Sequence, residues 1–121
     1  MKVKEYSFKS STGVCTVHGC EYTPENDAVR AVLVLHHGMA EHQVRYHNFI
    51  EYLTSNGIAV FMHDMANHGK SNQKSDETGY FGDKDGYKFL VKDLKTTFDR
   101  AKAVYPDKKI IVMGHSMGSF I

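Results

Sequence analysis

The apolar run Lys109-Ile110-Ile111-Val112-Met113 passes without a spacer into Gly114-His115-Ser116-Met117-Gly118. This G-x-S-x-G pattern predicts a strand that turns sharply into a helix, with the serine exposed at the turn. Glycine on either side keeps Cβ atoms out of a turn too tight for them. A serine hydroxyl becomes a competent nucleophile when a histidine takes its proton and a third group orients that histidine. In folds with this elbow the acid and the histidine follow the serine in the chain. Only Ser119, Phe120 and Ile121 follow the pattern here. The expectation is therefore a chain that carries the nucleophile, Ser116, without the whole catalytic apparatus.

The rest of the pattern says what precedes the elbow. Arg30 to His36 and Ile58 to Met62 are continuously apolar, as strands covered on both faces are. Between them Tyr46, Phe49, Ile50 and Leu53 recur at helical spacing, and Asn56-Gly57 supplies a stop. A polar, glycine-containing stretch runs from Asp64 to Asp85. Leu90, Leu94, Thr97, Phe98, Ala101, Val104 and Tyr105 then trace one face of a long helix, ended by Pro106. Strands alternating with helices imply a parallel sheet with right-handed crossovers. Upstream, Val3 to Phe8 and Val14 to Tyr22 flank the turn Ser10-Ser11-Thr12-Gly13 and predict an antiparallel hairpin. The expected class is α/β: a mostly parallel sheet opened by an antiparallel hairpin and ending just past the elbow. Residues 1–121 contain no repeat, no low-complexity segment and only two prolines, so one domain is expected. A chain of this length buries roughly 65% of its unfolded surface.

Composition removes several classes of function. With 41% hydrophobic and 24% charged residues the chain reads as globular. A net charge of +1 makes no case for nucleic acid or an anionic membrane surface. No apolar run approaches the roughly 18 residues of a membrane span. Met1-Lys2-Val3-Lys4-Glu5-Tyr6 lacks the apolar core of a signal peptide. Cys15 and Cys20 are expected on one strand, about 17 Å apart and on opposite faces, where they cannot bridge. Two free thiols fit a reducing compartment, and a cytoplasmic location is the expectation.

Acyl transfer needs two donors aimed at the oxygen that turns negative in the tetrahedral intermediate. The backbone N–H of Met117, next after the nucleophile, is one candidate. The second is the backbone N–H of Met39, in the segment His36-His37-Gly38-Met39-Ala40-Glu41-His42 that follows a buried strand. The side chains of His36 and His37 are read as ending that strand and bonding to nearby backbone. A dinucleotide fingerprint starting at Gly114 fails, because Ser116 and Ser119 occupy its glycine positions. Gly69-Lys70-Ser71 imitates the end of a P-loop, but Asp64 stands where its first glycine is needed. No H-E-x-x-H and no zinc-type Cys/His spacing is present, so no metal and no cofactor is implied. His18, His47, His63 and His68 are read as solvated or hydrogen-bonded. Adjacent side chains point apart in a tight elbow, so His115 is not the base for Ser116.

Three blocks in this order resemble the α/β-hydrolase superfamily. They are similar in particular to its monoacylglycerol lipase and lysophospholipase branch, also described as serine aminopeptidase-like. His37-Gly38-Met39-Ala40-Glu41-His42 with Arg45-Tyr46 matches that branch's H-G-x-x-E-H…R-Y stretch. Asp64-Met65-Ala66-Asn67-His68-Gly69-Lys70-Ser71 matches D-x-R-G-H-G-x-S, with Ala66 and Asn67 in place of the usual arginine and glycine. Gly114 to Gly118 matches G-H-S-M-G, followed by Ser119 where glycine is common. The resemblance implies the N-terminal half of an α/β-hydrolase fold, with the remaining strands, lid, acid and histidine beyond Ile121. It gives Asp64 a structural place rather than that of the acid. It also implies that the last strand, central in the family sheet, is an uncovered apolar edge in these residues.

The activity implied is hydrolysis of carboxylic esters, of acyl-glycerol or lysophospholipid type, through an acyl-enzyme on Ser116. Its substrate would be a small acyl ester or lipid, with no nucleic acid and no integral membrane span. Two other readings stand beside it. One is a silent or split remnant that needs a complementing C-terminal segment. The other is an amidase or peptidase on the same fold.

Overall fold

The two fully apolar runs become neighbouring parallel strands, β3 (Ala31–His36) and β4 (Ile58–His63). The computed structural model describes residues 1–11, 15–26, 28–37, 46–64 and 86–114. The hairpin forms as expected. β1 (Lys2–Lys9) and β2 (Thr16–Thr23) run antiparallel in unbroken register from Lys2 opposite Thr23 to Lys9 opposite Thr16. β2 then lies antiparallel to β4, and β5 (Ile110–Gly114) lies parallel to β3. The order across the five-stranded sheet is β1-β2-β4-β3-β5.

Among the described residues two helices cover the sheet, one on each face. α1 (His47–Ser55) joins β3 to β4, and α2 (Gly86–Val104) lies between β4 and β5 in the chain. The two crossovers run in opposite directions across the sheet. Right-handed connections of opposite direction must lie on opposite faces, and they do. Leu33, Leu35, Val60 and Met62 pack with Ile50 of α1, together with Cys20 and Tyr22 of β2. The alternate residues Val32, Val34, Ala59 and Phe61 pack with Ala101 of α2, flanked by Leu94 and Phe98. The period-two alternation of Cβ directions thus becomes two separate cores. Ile50 is fully buried, a burial that stabilises by roughly 1.5–3 kcal/mol.

α1 ends at Asn56, whose side-chain amide donates to the Tyr52 carbonyl at 2.8 Å. Gly57 follows with φ +81°, the left-handed conformation that glycine adopts at no steric cost. A Cβ there would also stand 2.9 Å from the Arg30 side chain and 3.2 Å from the Ala28 carbonyl.

Three expectations need correction. Phe49 belongs to the helical stripe in the sequence but lies exposed on α1, because Ile50 and Thr54 make the inward face. Val104, at the end of the α2 stripe, is exposed as well, since the helix ends there, near the rim of the sheet. Cys15 lies just before β2 rather than within it, while Cys20 is buried in the strand. Neither cysteine forms a disulfide, as expected.

One buried carboxylate went unread. Asp93 on α2 is 1% exposed. It accepts from Ser10 Oγ at 2.6 Å, from the Ser11 amide at 2.8 Å and from Ser11 Oγ at 2.9 Å. It thereby ties the end of β1 to a helix 82 residues away. Asp93→Ala removes the acceptor of three charge-assisted bonds and is expected to cost about 2–3 kcal/mol. A urea midpoint in Asp93→Ala that moves by less than about 0.5 kcal/mol equivalent would show the tie to be dispensable.

Candidate active site

β3, β4 and β5 are parallel, so their carboxyl ends open on one edge of the sheet, where α/β folds of this kind place their ligands. The register is specific there. His36 pairs with Gly114 across β3 and β5, and Leu35 of β3 pairs with Met62 of β4. Adjacent strands lie about 4.8 Å apart. The segment that leads to Ser116 therefore leaves β5 beside the point where the segment that leads to Met39 leaves β3. Met39 and Met117 are each three residues beyond that matched pair. Ser116, Met117 and Met39 themselves lie outside the described residues, as do His115 and most of the stretch from Asp64 to Asp85.

What is described is the platform beneath. His36 ends β3 as expected and His37 follows directly after it; both are fully buried, and the expected bond from the His36 ring to nearby backbone does not form. Their rings stack with centroids 6.0 Å apart and planes 6° from parallel. His63, which ends β4, meets His36 edge-on at 5.4 Å and places Nδ1 2.7 Å from Thr97 Oγ1 of α2. It is hydrogen-bonded, as the sequence reading expected. Burial first, then His36 and His37, hold His63 well below the ordinary histidine pKa. Its imidazole is therefore neutral at pH 7.

Tyr6 completes this layer. Its hydroxyl donates to the Met62 carbonyl at 3.3 Å and meets Thr97 Oγ1 at 3.3 Å. Burial raises its pKa, and that of Tyr22 on the other face, well above the ordinary tyrosine value. Neither phenol supplies a phenolate near neutral pH. Asp64 continues β4 with its amide held by the His18 carbonyl at 2.9 Å. This suits the structural place that the resemblance assigns it. His18 and His47 lie near carboxylates at the surface, each 3.5 Å from its partner, Glu5 and Glu51 respectively. Among the described residues no three His, Cys, Asp or Glu side chains converge to hold a metal ion. His36 instead stacks on His37 and meets His63 edge-on.

Tyr6 and Asp93 carry no motif and contribute through contacts 56 to 91 residues distant. Thr97 stood in the α2 stripe. Its hydroxyl among apolar neighbours was the one local sign that a polar partner waits across the interface.

The sheet order, one helix on each face and the elbow sequence leaving β5 together define an α/β-hydrolase. The chain superposes on a thermostable carboxyl esterase from Bacillus coagulans with a TM-score of 0.88 and 34% identity, covering 98% of this chain and 38% of that one. It belongs to the family described as Serine aminopeptidase, S33 (Hydrolase_4), whose model matches residues 27–121. Similar curated proteins include a monoacylglycerol lipase of Mycolicibacterium smegmatis, 37% identical over 97% of this chain and 39% of its own length. A monoglyceride lipase homolog of Monkeypox virus is 33% identical over 84% of this chain and 35% of its own length. The chain thus spans a little over a third of these relatives. No helix among the described residues is long and apolar enough to cross a membrane.

Proposed function

We propose that these residues form the nucleophile-bearing part of a serine hydrolase acting on carboxylic esters of monoacylglycerol or lysophospholipid type. The pairing of His36 with Gly114 carries this reading. It starts the candidate nucleophile segment and the candidate oxyanion segment from neighbouring strand ends. Ser116 Oγ attacks the ester carbonyl as a histidine takes its proton, and the amides of Met39 and Met117 donate to the oxyanion. The proton passes to the leaving alcohol, and the acyl group stays on Ser116. Water then releases the carboxylic acid by the same steps in reverse order. No cofactor enters this sequence.

On this reading the acid and the histidine belong to polypeptide other than these 121 residues, and β5 offers an edge against which such polypeptide would add. Ile111 and Met113 are exposed on the α1 side of β5 and Val112 on the α2 side. This is an apolar strand at the rim of the sheet. Such an edge accepts a further strand. The 121 residues alone are expected to turn over ester at a negligible rate until that complementing segment is present. Two thiols outside any disulfide support a reducing, cytoplasmic setting. The family description favours a second reading of the bond, an amide or peptide in place of the ester. A panel of matched ester and amide substrates separates the two.

A fluorophosphonate probe tests the nucleophile. Labelling of the complete catalytic protein that disappears in Ser116→Ala supports the proposal. A folded, complete protein that takes no label overturns it.

A further inference from the structure

A group of buried titratable side chains lies under the carboxyl ends of β3 and β4. There His36 stacks on His37 and meets His63 edge-on, all three buried. Phe8 of β1 closes on His63 edge-on at 5.9 Å, and Thr97 of α2 binds its Nδ1. The hydrogen-bond chain has one arrangement that satisfies its protons. Tyr6 donates its single proton to the Met62 carbonyl. Thr97 can then donate toward Tyr6, and His63 Nδ1–H donates to Thr97. Nε2 is left as a bare lone pair, buried and without a hydrogen-bond partner. A proton arriving at His63 adds there.

We propose that this imidazole cluster is an acid-operated latch: proton uptake at His63 Nε2 parts α2 from the ends of β3 and β4, loosening the strand ends from which the candidate oxyanion segment departs. The inference stands on the buried cluster and does not depend on the hydrolase reading.

The surroundings give an imidazolium nothing to pair with among the described residues. β1 presents Tyr6 and Phe8. β2 presents Gly19, directly beside His63. β3 presents His36 and His37, each of which disfavours a second positive charge nearby. On α2, Asp93 lies one turn before Thr97 and is taken up by Ser10 and Ser11. Arg100 lies nearly one turn after Thr97, bound to Glu21 at 3.1 Å and stacked 4.3 Å over the Tyr6 ring. Asp64 follows His63 but alternates to the other face, where its charge acts on Tyr22. A buried cation without a partner is strongly disfavoured, so the proton enters when the cluster opens.

The sign follows from linkage. The folded-state pKa of His63 is depressed well below the ordinary histidine value of 6.5. Its neutral form therefore contributes stability that is complete above that value and is lost as the pH falls below it. Each proton taken up on opening raises the opening constant about tenfold per pH unit.

Amide hydrogen exchange on the whole chain, read at α2 and at the ends of β3 and β4 from about pH 7.5 to about pH 5.5, tests this. After correction for intrinsic exchange, the opening constant is expected to climb about tenfold per unit below the ordinary histidine pKa. His63→Gln keeps an N–H for Thr97 but does not titrate, and is expected to flatten the climb by one proton. Should that variant not fold, the wild-type His63 imidazole resonance decides. It is expected to stay neutral in the folded protein throughout the range. A resonance that titrates near 6.5 with the fold intact, an opening constant flat with pH, or an unchanged slope in His63→Gln would each overturn the latch.

Discussion

Ser116→Ala is expected to lower kcat for ester hydrolysis by about 10⁶-fold in the complete catalytic protein, near the loss seen when a triad serine is removed. The size follows from the role. Without Oγ no acyl-enzyme forms, and the histidine that would have taken its proton has no nucleophile to activate. Some rate should survive, about 10³–10⁴ above the uncatalysed reaction, from the oxyanion donors and substrate positioning alone. Stability should barely move, since the change deletes a single oxygen atom. Kinetics and a thermal melt on the same preparation separate the two effects. A folded variant retaining a tenth of the wild-type kcat would remove Ser116 from the role of nucleophile.

Gly19→Ala is expected to destabilise the fold by about 3 kcal/mol. Gly19 lies opposite Tyr6 in the hairpin and opposite His63 in the sheet. The Tyr6 ring crosses over it to reach α2. A Cβ built there stands 2.4 Å from the Tyr6 Cζ and 2.6 Å from its hydroxyl oxygen. The ring is the end of a side chain, yet it has nowhere cheap to go. It is bonded to the Met62 carbonyl and Thr97 and covered by Arg100. Moving it breaks two buried hydrogen bonds and a cation–π contact together. For a chain of this size the loss amounts to a Tm shift on the order of 10 °C. Tyr6→Leu in the Gly19→Ala background relieves the clash, so the double variant should cost clearly less than the sum of the single ones. Additive losses, or a Gly19→Ala midpoint within about 0.5 kcal/mol of wild type, would show that the ring is not confined.

Glycine in a strand is usually a local weakness. Here it is the condition for a long-range contact, and the same division runs through the whole molecule. β3 and β4 were legible because strands buried on both faces have no polar alternation to confuse. α1 stopped at Asn56-Gly57 because a left-handed residue is required there. Phe49 and Val104 misled for a physical reason. Both satisfy the helical period, but which residues of a stripe touch the sheet depends on helix length and on where the strands end. The candidate oxyanion segment and the elbow were legible as motifs. Their relation became apparent only in the pairing of His36 with Gly114.

Local pattern therefore decided the class: which segments become strands, which become helices, and the motif at Gly114 to Gly118 on which the proposed chemistry rests. These depend on side-chain period and turn stereochemistry over a few residues. Strand order did not follow from pattern. β4 inserts between β2 and β3, and β5 goes to the far side of β3, because two right-handed crossovers must lay α1 and α2 on opposite faces. Nor did the polar ties. Asp93 with Ser10 and Ser11, Thr97 with His63 and Tyr6, and Arg100 with Glu21 join residues 34 to 91 apart in the chain. A buried polar group has to be satisfied by whatever the fold brings against it. Thr97, a hydroxyl in an apolar stripe, signals the need locally, but no partner is written in the neighbouring residues.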